Sequence, residues 1–269
     1  VAKSFRLPTE QATGLKMAFL NWTKGIKGYT EQHVLRDINF EVHQGDFFGI
    51  VGRNGSGKST FLRTLNRMND LIPSVKIEGE VDFHGKNIYD ARVDPTLLRK
   101  RIGMVFQKAN PFPMSIYDNV AYGPRTHGVR SHAKLDDIVE RSLRSAAIWD
   151  EVKDRLKKSA MGLSGGQQQR ISIARAILKD APIVVFDEAT SYSDIENEHK
   201  IQLALQNLLR GKTTIMIAHR LHTIRNADKI FVFQDGKVVE QGTHDELIAS
   251  GSTYSHMWDT YTRETIGEE

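Results

Sequence analysis

The sequence contains no cysteine among its 269 residues. Disulfide bonds and thiolate metal sites are therefore excluded, which is compatible with the reducing cytosol. Long apolar runs are also missing: none approaches the roughly 18 residues that a membrane-spanning helix needs, so a membrane role would require a separate partner. The first residues lack a signal-peptide pattern, because Lys3 and Arg6 are followed by Pro8, Thr9 and Glu10 and not by an apolar stretch. These absences predict a cytoplasmic location.

A strong charge of one sign is absent as well. The chain has 37 basic and 33 acidic residues, a formal net charge of +4, and the two signs are interspersed. A basic balance permits nucleic-acid binding, but interspersed charges are typical of a solvated surface. We therefore expect no nucleic-acid partner.

Residues 52–60, GRNGSGKST, have the form G-x-x-x-x-G-K-[ST] of a phosphate-binding loop. An apolar run of strand length precedes the loop and a segment with helical spacing follows it, as this motif requires. The glycines let several backbone N–H groups point at one anion, and the helix adds its partial positive N-terminus. Lys58 can reach the outer phosphates and the Ser59 hydroxyl can ligate Mg²⁺. The residues predicted to bind a nucleoside triphosphate are Gly52, Asn54, Gly55, Ser56, Gly57, Lys58, Ser59 and Thr60.

The order of apolar runs predicts an α/β fold. Strands covered on both faces are predicted where apolar runs do not alternate, at 102–106, 183–186, 214–217 and 230–233. Helices are predicted at 165–179, 195–210 and 220–226, so the alternation indicates a mainly parallel sheet. A helical insert is expected between about 108 and 175.

Three local expectations complete this description of the chain. Alternating apolar residues over 34–42 predict a strand that ends at a turn around Gly45. Three prolines within 108–125 predict an irregular segment, of the kind that is often functional. Apolar residues at helical spacing predict one helix over 134–158.

Two acidic residues follow the strand 183–186. A carboxylate at the C-terminal end of a buried strand lies where α/β folds bind ligands. Asp187 suits coordination of Mg²⁺ through water, and Glu188 is placed to polarise an attacking water molecule.

A second glycine-containing stretch is LSGGQ at 163–167. Ser164 is an expected N-cap, and the serine with two glycines at a helix N-terminus makes another anion-binding arrangement. Ser164, Gly165, Gly166 and Gln167 are therefore candidates for binding an anion, with a simple helix cap as the alternative.

The phosphate loop, LSGGQ and Asp187-Glu188, in this order, resemble the nucleotide-binding domain of ATP-binding-cassette (ABC) proteins over essentially the whole chain. The resemblance implies a P-loop NTPase core with a mainly parallel sheet, an antiparallel β subdomain and an inserted α-helical subdomain. It implies a single domain over 1–269, with the core at about 1–107 and 176–269 and the helical subdomain at about 108–175. The activity implied is hydrolysis of ATP to ADP and phosphate, with Mg²⁺ as the metal.

The same resemblance locates further site residues. Gln107 looks like the glutamine that contacts Mg²⁺ and the attacking water, and His219 looks like the switch histidine that contacts the γ-phosphate. Tyr29 looks like the aromatic residue that stacks on adenine, with His33 as a rival. Asp194 is retained in the segment through which such dimers communicate, although the two residues before it depart from the family pattern. The implied catalytic residues are thus Glu188, His219 and Gln107, and the implied metal ligands are Ser59, Gln107 and Asp187.

The implied mechanism is a head-to-tail homodimer that encloses two ATP molecules. Each phosphate loop faces the LSGGQ of the other protomer, and the dimer normally powers a separate membrane-spanning transporter subunit. One alternative is a folded scaffold that binds ATP but has no transport function. Another is an ABC ATPase of the DNA-repair type, but the chain lacks the long heptad-containing insert of that class.

The resemblance also changes along the chain. Residues 1–60 look like ATPases of polysaccharide or teichoic-acid exporters, and those from about 65 to 170 look like the ATPase of the bacterial phosphate importer. Residues from about 172 to 265 look like exporters whose ATPase is fused to its membrane domain. We therefore hypothesise an engineered or computed chimera, with one divergent natural ATPase as the alternative.

Overall fold

The computed structural model describes residues 2–8, 29–106, 108–187 and 195–266. The strands of the described residues are β1 (Ala2–Pro8), β2 (Tyr29–Leu35), β3 (Phe47–Gly52), β4 (Val75–Glu78), β5 (Ile102–Val105), β6 (Ile183–Asp187), β7 (Thr213–Ile217), β8 (Lys229–Gln234) and β9 (Lys237–Gly242). Six of them form one sheet in the order β5-β6-β7-β3-β8-β9, in which only the β8–β9 pair is antiparallel. The other three form an antiparallel sheet in the order β2-β1-β4.

The α-helices of the described residues are α1 (Lys58–Leu65), α2 (Pro95–Arg101), α3 (Ile116–Thr126), α4 (His132–Ser145), α5 (Trp149–Val152), α6 (Gly165–Lys179), α7 (Ile195–Leu209), α8 (His244–Ala249) and α9 (Thr253–Ile266). Short 3-10 helices lie at Met68–Leu71, Lys153–Arg155, Ala160–Gly162 and Leu221–Ile224. The α/β fold with a mainly parallel sheet is confirmed.

The large sheet is buried on both faces. Phe48 and Ile50 of β3 pack on one face against Phe61 of α1, whereas Val51 points to the other face. That second face is covered by apolar residues of α6 and α7, among them Ile171. Because both faces are covered, the strands read as continuous apolar runs, and the strands predicted within 102–106, 183–186, 214–217 and 230–233 are confirmed.

The predicted strand over 34–42 is wrong beyond Leu35. Asp37 has a positive φ of 47°, a left-handed conformation that a strand cannot contain. The preceding residue, Arg36, donates its N–H to the carbonyl of Gly236 at 2.8 Å, so the chain bends away from β2. Ile38 is nevertheless buried. The alternating apolar residues over 34–42 therefore predicted burial at this position correctly, although the segment is not a strand.

Two predictions in the helical insert also need correction. The segment 108–125 is irregular only up to Ser115, which caps α3 by accepting the N–H of Asp118 at 2.9 Å. Pro124 lies in the last turn of α3, where the loss of one backbone hydrogen bond does not stop the helix. The single helix predicted over 134–158 is interrupted at Ala147, whose φ is 52°.

Outside the insert, the helix predicted over 220–226 is a 3-10 helix of one turn, Leu221–Ile224.

No helix in the described ranges combines the length and the apolar composition that crossing a membrane requires.

Candidate active site

The predicted phosphate loop connects β3 to α1. Gly57 is the N-cap of α1 and has φ of 95°, which side-chain-bearing residues rarely adopt. A Cβ at Gly57 would also lie 2.8 Å from Leu35 Cδ2, so the loop packs directly on the end of β2. The loop can therefore curl at the N-terminus of α1, where backbone N–H groups and the helix dipole favour an anion.

A polar cleft of about 490 Å³ opens over this loop. Its described lining residues are Val34, Asn54, Gly55, Ser56, Gly57, Lys58, Ser59, Thr60 and His219. The structure thus brings His219 together with the phosphate loop, although about 160 residues of chain separate them. Gly52 is the last residue of β3 and does not line the cleft, but its carbonyl accepts a hydrogen bond from Lys58.

The turn between β8 and β9 supports the loop from behind. Gly236 donates its N–H to Ser56 O at 3.1 Å and accepts a hydrogen bond from Arg36 N at 2.8 Å. Sequence reasoning did not identify Val34 or Gly236 as site residues. The Asp235-Gly236 dipeptide is a recognisable hairpin-turn signal, but it does not show what the turn contacts.

Lys58 is almost completely buried and donates hydrogen bonds to two carbonyls of its own loop. The acceptors are Gly52 O and, at 2.9 Å, Arg53 O. Burial lowers the pKa of Lys58, and the nearby charge of Asp187 opposes this shift. A bound anion would offer a charged partner to the ammonium group in place of the two neutral carbonyls.

Asp187 is the last residue of β6 and is only 3% exposed. Its Oδ1 atom accepts no hydrogen bond within the described part of the chain. A buried carboxylate oxygen without a partner is costly, so this position is suited to a cation or an ordered water molecule. No group of three or more His, Asp or Glu side chains among the described residues could hold a metal by itself.

His219 follows β7 in a segment that is tied to the central strand, since Ala218 N donates to Ile50 O at 2.9 Å. Burial lowers the pKa of His219, the positive charge of Lys58 lowers it further, and Asp187 opposes both. The imidazole is therefore neutral at neutral pH and can offer either an N–H donor or a nitrogen acceptor to a ligand.

The LSGGQ stretch begins α6 as expected. Gln167 N donates to Ser164 Oγ at 3.3 Å, and Ser164 N donates to Gln167 Oε1 at 3.2 Å, which makes a capping box. Neither these residues nor Gly165 and Gly166 line the cleft at the phosphate loop. Within one chain, the structure does not bring the two predicted nucleotide-binding stretches together.

Four of the predicted site residues have side chains outside the described part of the structure. Gln107, Glu188 and Asp194 lie outside the described residues. Tyr29 pairs with Pro8 between β2 and β1, but its side chain is also outside the description. Its rival, His33, is exposed on β2.

Comparison with known proteins gives two findings. A sequence model of the ABC transporter family matches residues 35–191. The chain is also similar, at 32% identity and a TM-score of 0.73, to a solved structure described as a bacterial Atm1-family ABC exporter with ATP bound. That match covers 96% of this chain and 41% of the exporter chain, so the chain spans less than half of that protein's length. Both matches cross the supposed joints of a chimera, and neither confirms that hypothesis.

Proposed function

The chain belongs to the ABC transporter family, and we propose that it binds ATP and hydrolyses it to ADP and phosphate as a nucleotide-binding domain. The observation that carries this proposal is the cleft in which the phosphate loop and His219 meet, with the buried carboxylate of Asp187 near enough to act electrostatically on Lys58 and His219. The domain comprises a core at about 1–107 and 176–269 and a helical subdomain at about 108–175.

The phosphate loop binds the triphosphate of ATP. Backbone N–H groups at the start of α1 donate to the phosphate oxygens. Lys58 leaves the carbonyls of Gly52 and Arg53 for the outer phosphates, an exchange of neutral acceptors for charged ones. Tyr29 stacks on the adenine ring.

A magnesium ion fits this site because Asp187 has a buried oxygen without a hydrogen-bond partner among the described residues. Ser59, Asp187 and Gln107 would hold the ion, the carboxylate through water. When bound, Mg²⁺ neutralises charge on the phosphates.

Hydrolysis depends on three side chains beside the γ-phosphate. Glu188 accepts a proton from the attacking water as the new P–O bond forms and the bond to the leaving ADP breaks. Gln107 orients the same water. Neutral His219 donates a hydrogen bond to the γ-phosphate, and its lowered pKa supports this role.

The site is completed by a second copy of the chain. Since Ser164 and its LSGGQ neighbours do not line the cleft of their own chain, they can face an ATP held by another protomer. Two helix N-termini then enclose one triphosphate, and Asp194 lies in the segment between the two sites. ATP binding favours this closed homodimer and hydrolysis releases it. The dimer acts on a membrane-spanning transporter subunit, in line with the similarity to an exporter.

The test measures phosphate release and sedimentation of the purified chain with and without ATP–Mg²⁺. Lys58→Ala should abolish both turnover and ATP-dependent dimerisation, whereas Lys237→Ala, which removes an exposed lysine of β9, should change neither. Glu188→Gln should bind ATP, lose turnover and accumulate as a dimer. Turnover of Glu188→Gln close to that of the parent would refute the catalytic role of Glu188. ATP binding without any turnover by the parent chain would identify the scaffold alternative.

A further inference from the structure

Glu151, a residue of α5 with no role in the proposed site, connects three helices. Both of its carboxylate oxygens accept hydrogen bonds from Arg170 of α6, at 2.7 and 3.0 Å. Gln167 Nε2 donates to it at 2.9 Å, and Lys200 Nζ of α7 donates at 3.0 Å. One carboxylate therefore holds the start of α6 and the first part of α7 together.

The ion pair at the centre of this cluster is largely buried, since the side chain of Arg170 has no exposed surface and that of Glu151 is 25% exposed. The remaining hydrogen bonds of Arg170 go to Ala147 O at 2.6 Å, Asn197 Oδ1 at 2.8 Å and Gly166 O at 3.4 Å. Desolvation alone would raise the pKa of Glu151, but hydrogen bonds from Arg170, Gln167 and Lys200 lower it to about 2. Both partners are thus charged at neutral pH and fixed by a two-point contact.

This cluster determines the orientation of the LSGGQ residues. Gln167 uses its amide oxygen to cap α6 through Ser164 N and its amide nitrogen to bind Glu151. The same contact region contains Gly166, where an added Cβ would lie 3.2 Å from Asn197 Cγ. The N-terminus of α6 is therefore packed against α7, which begins at Ile195, directly after the segment that includes Asp194.

We infer that Glu151 is a positioning residue that holds LSGGQ and the start of α7 as one unit for the ATP of a partner chain. The inference rests on the dimer of the proposed function. Buried ion pairs are weak contributors to stability compared with apolar residues, but in some proteins they impose one geometry on the groups around them, and the four hydrogen bonds to Glu151 suit that role. Loss of Glu151 should thus weaken the contact between LSGGQ and the ATP bound by the partner chain. The phosphate loop of the same chain should stay intact.

The experiment uses the Glu188→Gln chain, in which dimers accumulate. Glu151→Gln is added to it, and Asp137→Asn serves as the matched control because it removes an exposed 2.7 Å ion pair with Arg141 on α4. Affinity for a fluorescent ATP analogue is measured on dilute monomer, and the ATP concentration for half-maximal dimerisation is measured by sedimentation. We expect monomer affinity to stay within about twofold, while Glu151→Gln raises the half-maximal ATP concentration by about tenfold or more.

A second variant separates positioning from folding stability. Glu151→Leu combined with Arg170→Met replaces the ion pair by apolar side chains, an exchange that is often neutral or stabilising. The inference predicts weak dimerisation in this double variant even where its urea midpoint equals that of the parent. Dimerisation equal to that of Asp137→Asn, in either variant, would overturn it. If Glu188→Gln itself fails to dimerise with ATP, the proposed dimer is refuted and this inference with it.

Discussion

Gly236 is the residue whose replacement best tests how the phosphate loop is supported. It lies in the turn between β8 and β9 with φ of 78°, and a Cβ added there would lie 2.1 Å from Val34 O. That carbonyl precedes the end of β2, and the N–H of Gly236 binds Ser56 O. Gly236→Ala therefore strains the turn and pushes it away from two residues that line the nucleotide cleft.

The magnitude follows from two separable effects. A left-handed conformation costs a residue with a Cβ about 1–2 kcal/mol. Relief of the clash with Val34 O requires a backbone shift, which typically costs about 1–3 kcal/mol. The free energy of unfolding should thus fall by about 2–5 kcal/mol. Weakening the hydrogen bond to Ser56 O, worth about 1 kcal/mol, should also raise the Kd for nucleotide by roughly fivefold.

Gly211→Ala is the matched control, since Gly211 has a similar φ of 69° but no heavy atom within 4 Å of an added Cβ. It should lose only the conformational part, about 1–2 kcal/mol, and keep its nucleotide affinity. Urea unfolding without nucleotide and titration with a fluorescent ATP analogue measure the two quantities. Equal destabilisation of the two variants, or an unchanged Kd in Gly236→Ala, would show that the turn does not support the loop.

Three further predictions concern buried polar groups. Folding lowers the pKa of Glu151 from 4.5 to about 2. The stability that the ionised Glu151 contributes is therefore present above pH 4.5 and is lost as the pH falls towards 2. Over that range, the difference in urea unfolding midpoint between the parent chain and Glu151→Gln should shrink. Tyr254→Phe leaves the buried His244 Nδ1 without its 2.9 Å partner and should cost about 1–3 kcal/mol in urea unfolding, whereas Tyr122→Phe, at an exposed position, should cost almost nothing. Asp187→Asn should abolish ATP turnover. It should change the unfolding free energy of the nucleotide-free chain by less than about 1 kcal/mol, because Asp187 Oδ1 has no hydrogen-bond partner among the described residues. A large loss of stability would contradict that reasoning.

Local sequence signals predicted those elements whose causes are local. Ser164 and Gln167 form a capping box three residues apart, so the start of α6 was predictable from the sequence. The apolar strands were predictable because both faces of the large sheet are covered. Pro124 misled because a proline is tolerated in the last turn of α3, and the end of that helix is marked by Gly128, which follows the C-cap His127 with φ of 88°. Asp37 misled because the bend there depends on Gly236, about 200 residues away.

The residues of the candidate site also divide into those with a signal in the sequence and those that act through contacts with distant segments. The phosphate loop and Asp187 were predictable because a glycine-rich motif and the ends of parallel strands mark ligand sites in α/β folds. His219 was predicted only through the family resemblance, since a single histidine after a strand carries no signal of its own. Val34, Gly236 and Glu151 were not, because each acts through a contact with a distant segment. Glu151 in particular reads in the sequence as one more acid in a mixed-charge helix, and its hydrogen bonds from the buried Arg170, Gln167 and Lys200 distinguish it in the structure.

The ionisable residues around the cleft are arranged for a ligand more than for the stability of the free chain. Lys58 is buried against neutral carbonyls, Asp187 has an oxygen without a described hydrogen-bond partner, and the pKa of His219 is lowered by both its burial and Lys58. The first two arrangements cost free energy in the absence of a ligand. A triphosphate with a divalent cation would relieve both at once, because it supplies anionic oxygens to Lys58 and positive charge to Asp187, and its oxygens can also accept a hydrogen bond from His219. Nucleotide binding should therefore stabilise the chain beyond the contribution of its hydrogen bonds alone, and the stabilisation should fall in Lys58→Ala even at saturating ATP.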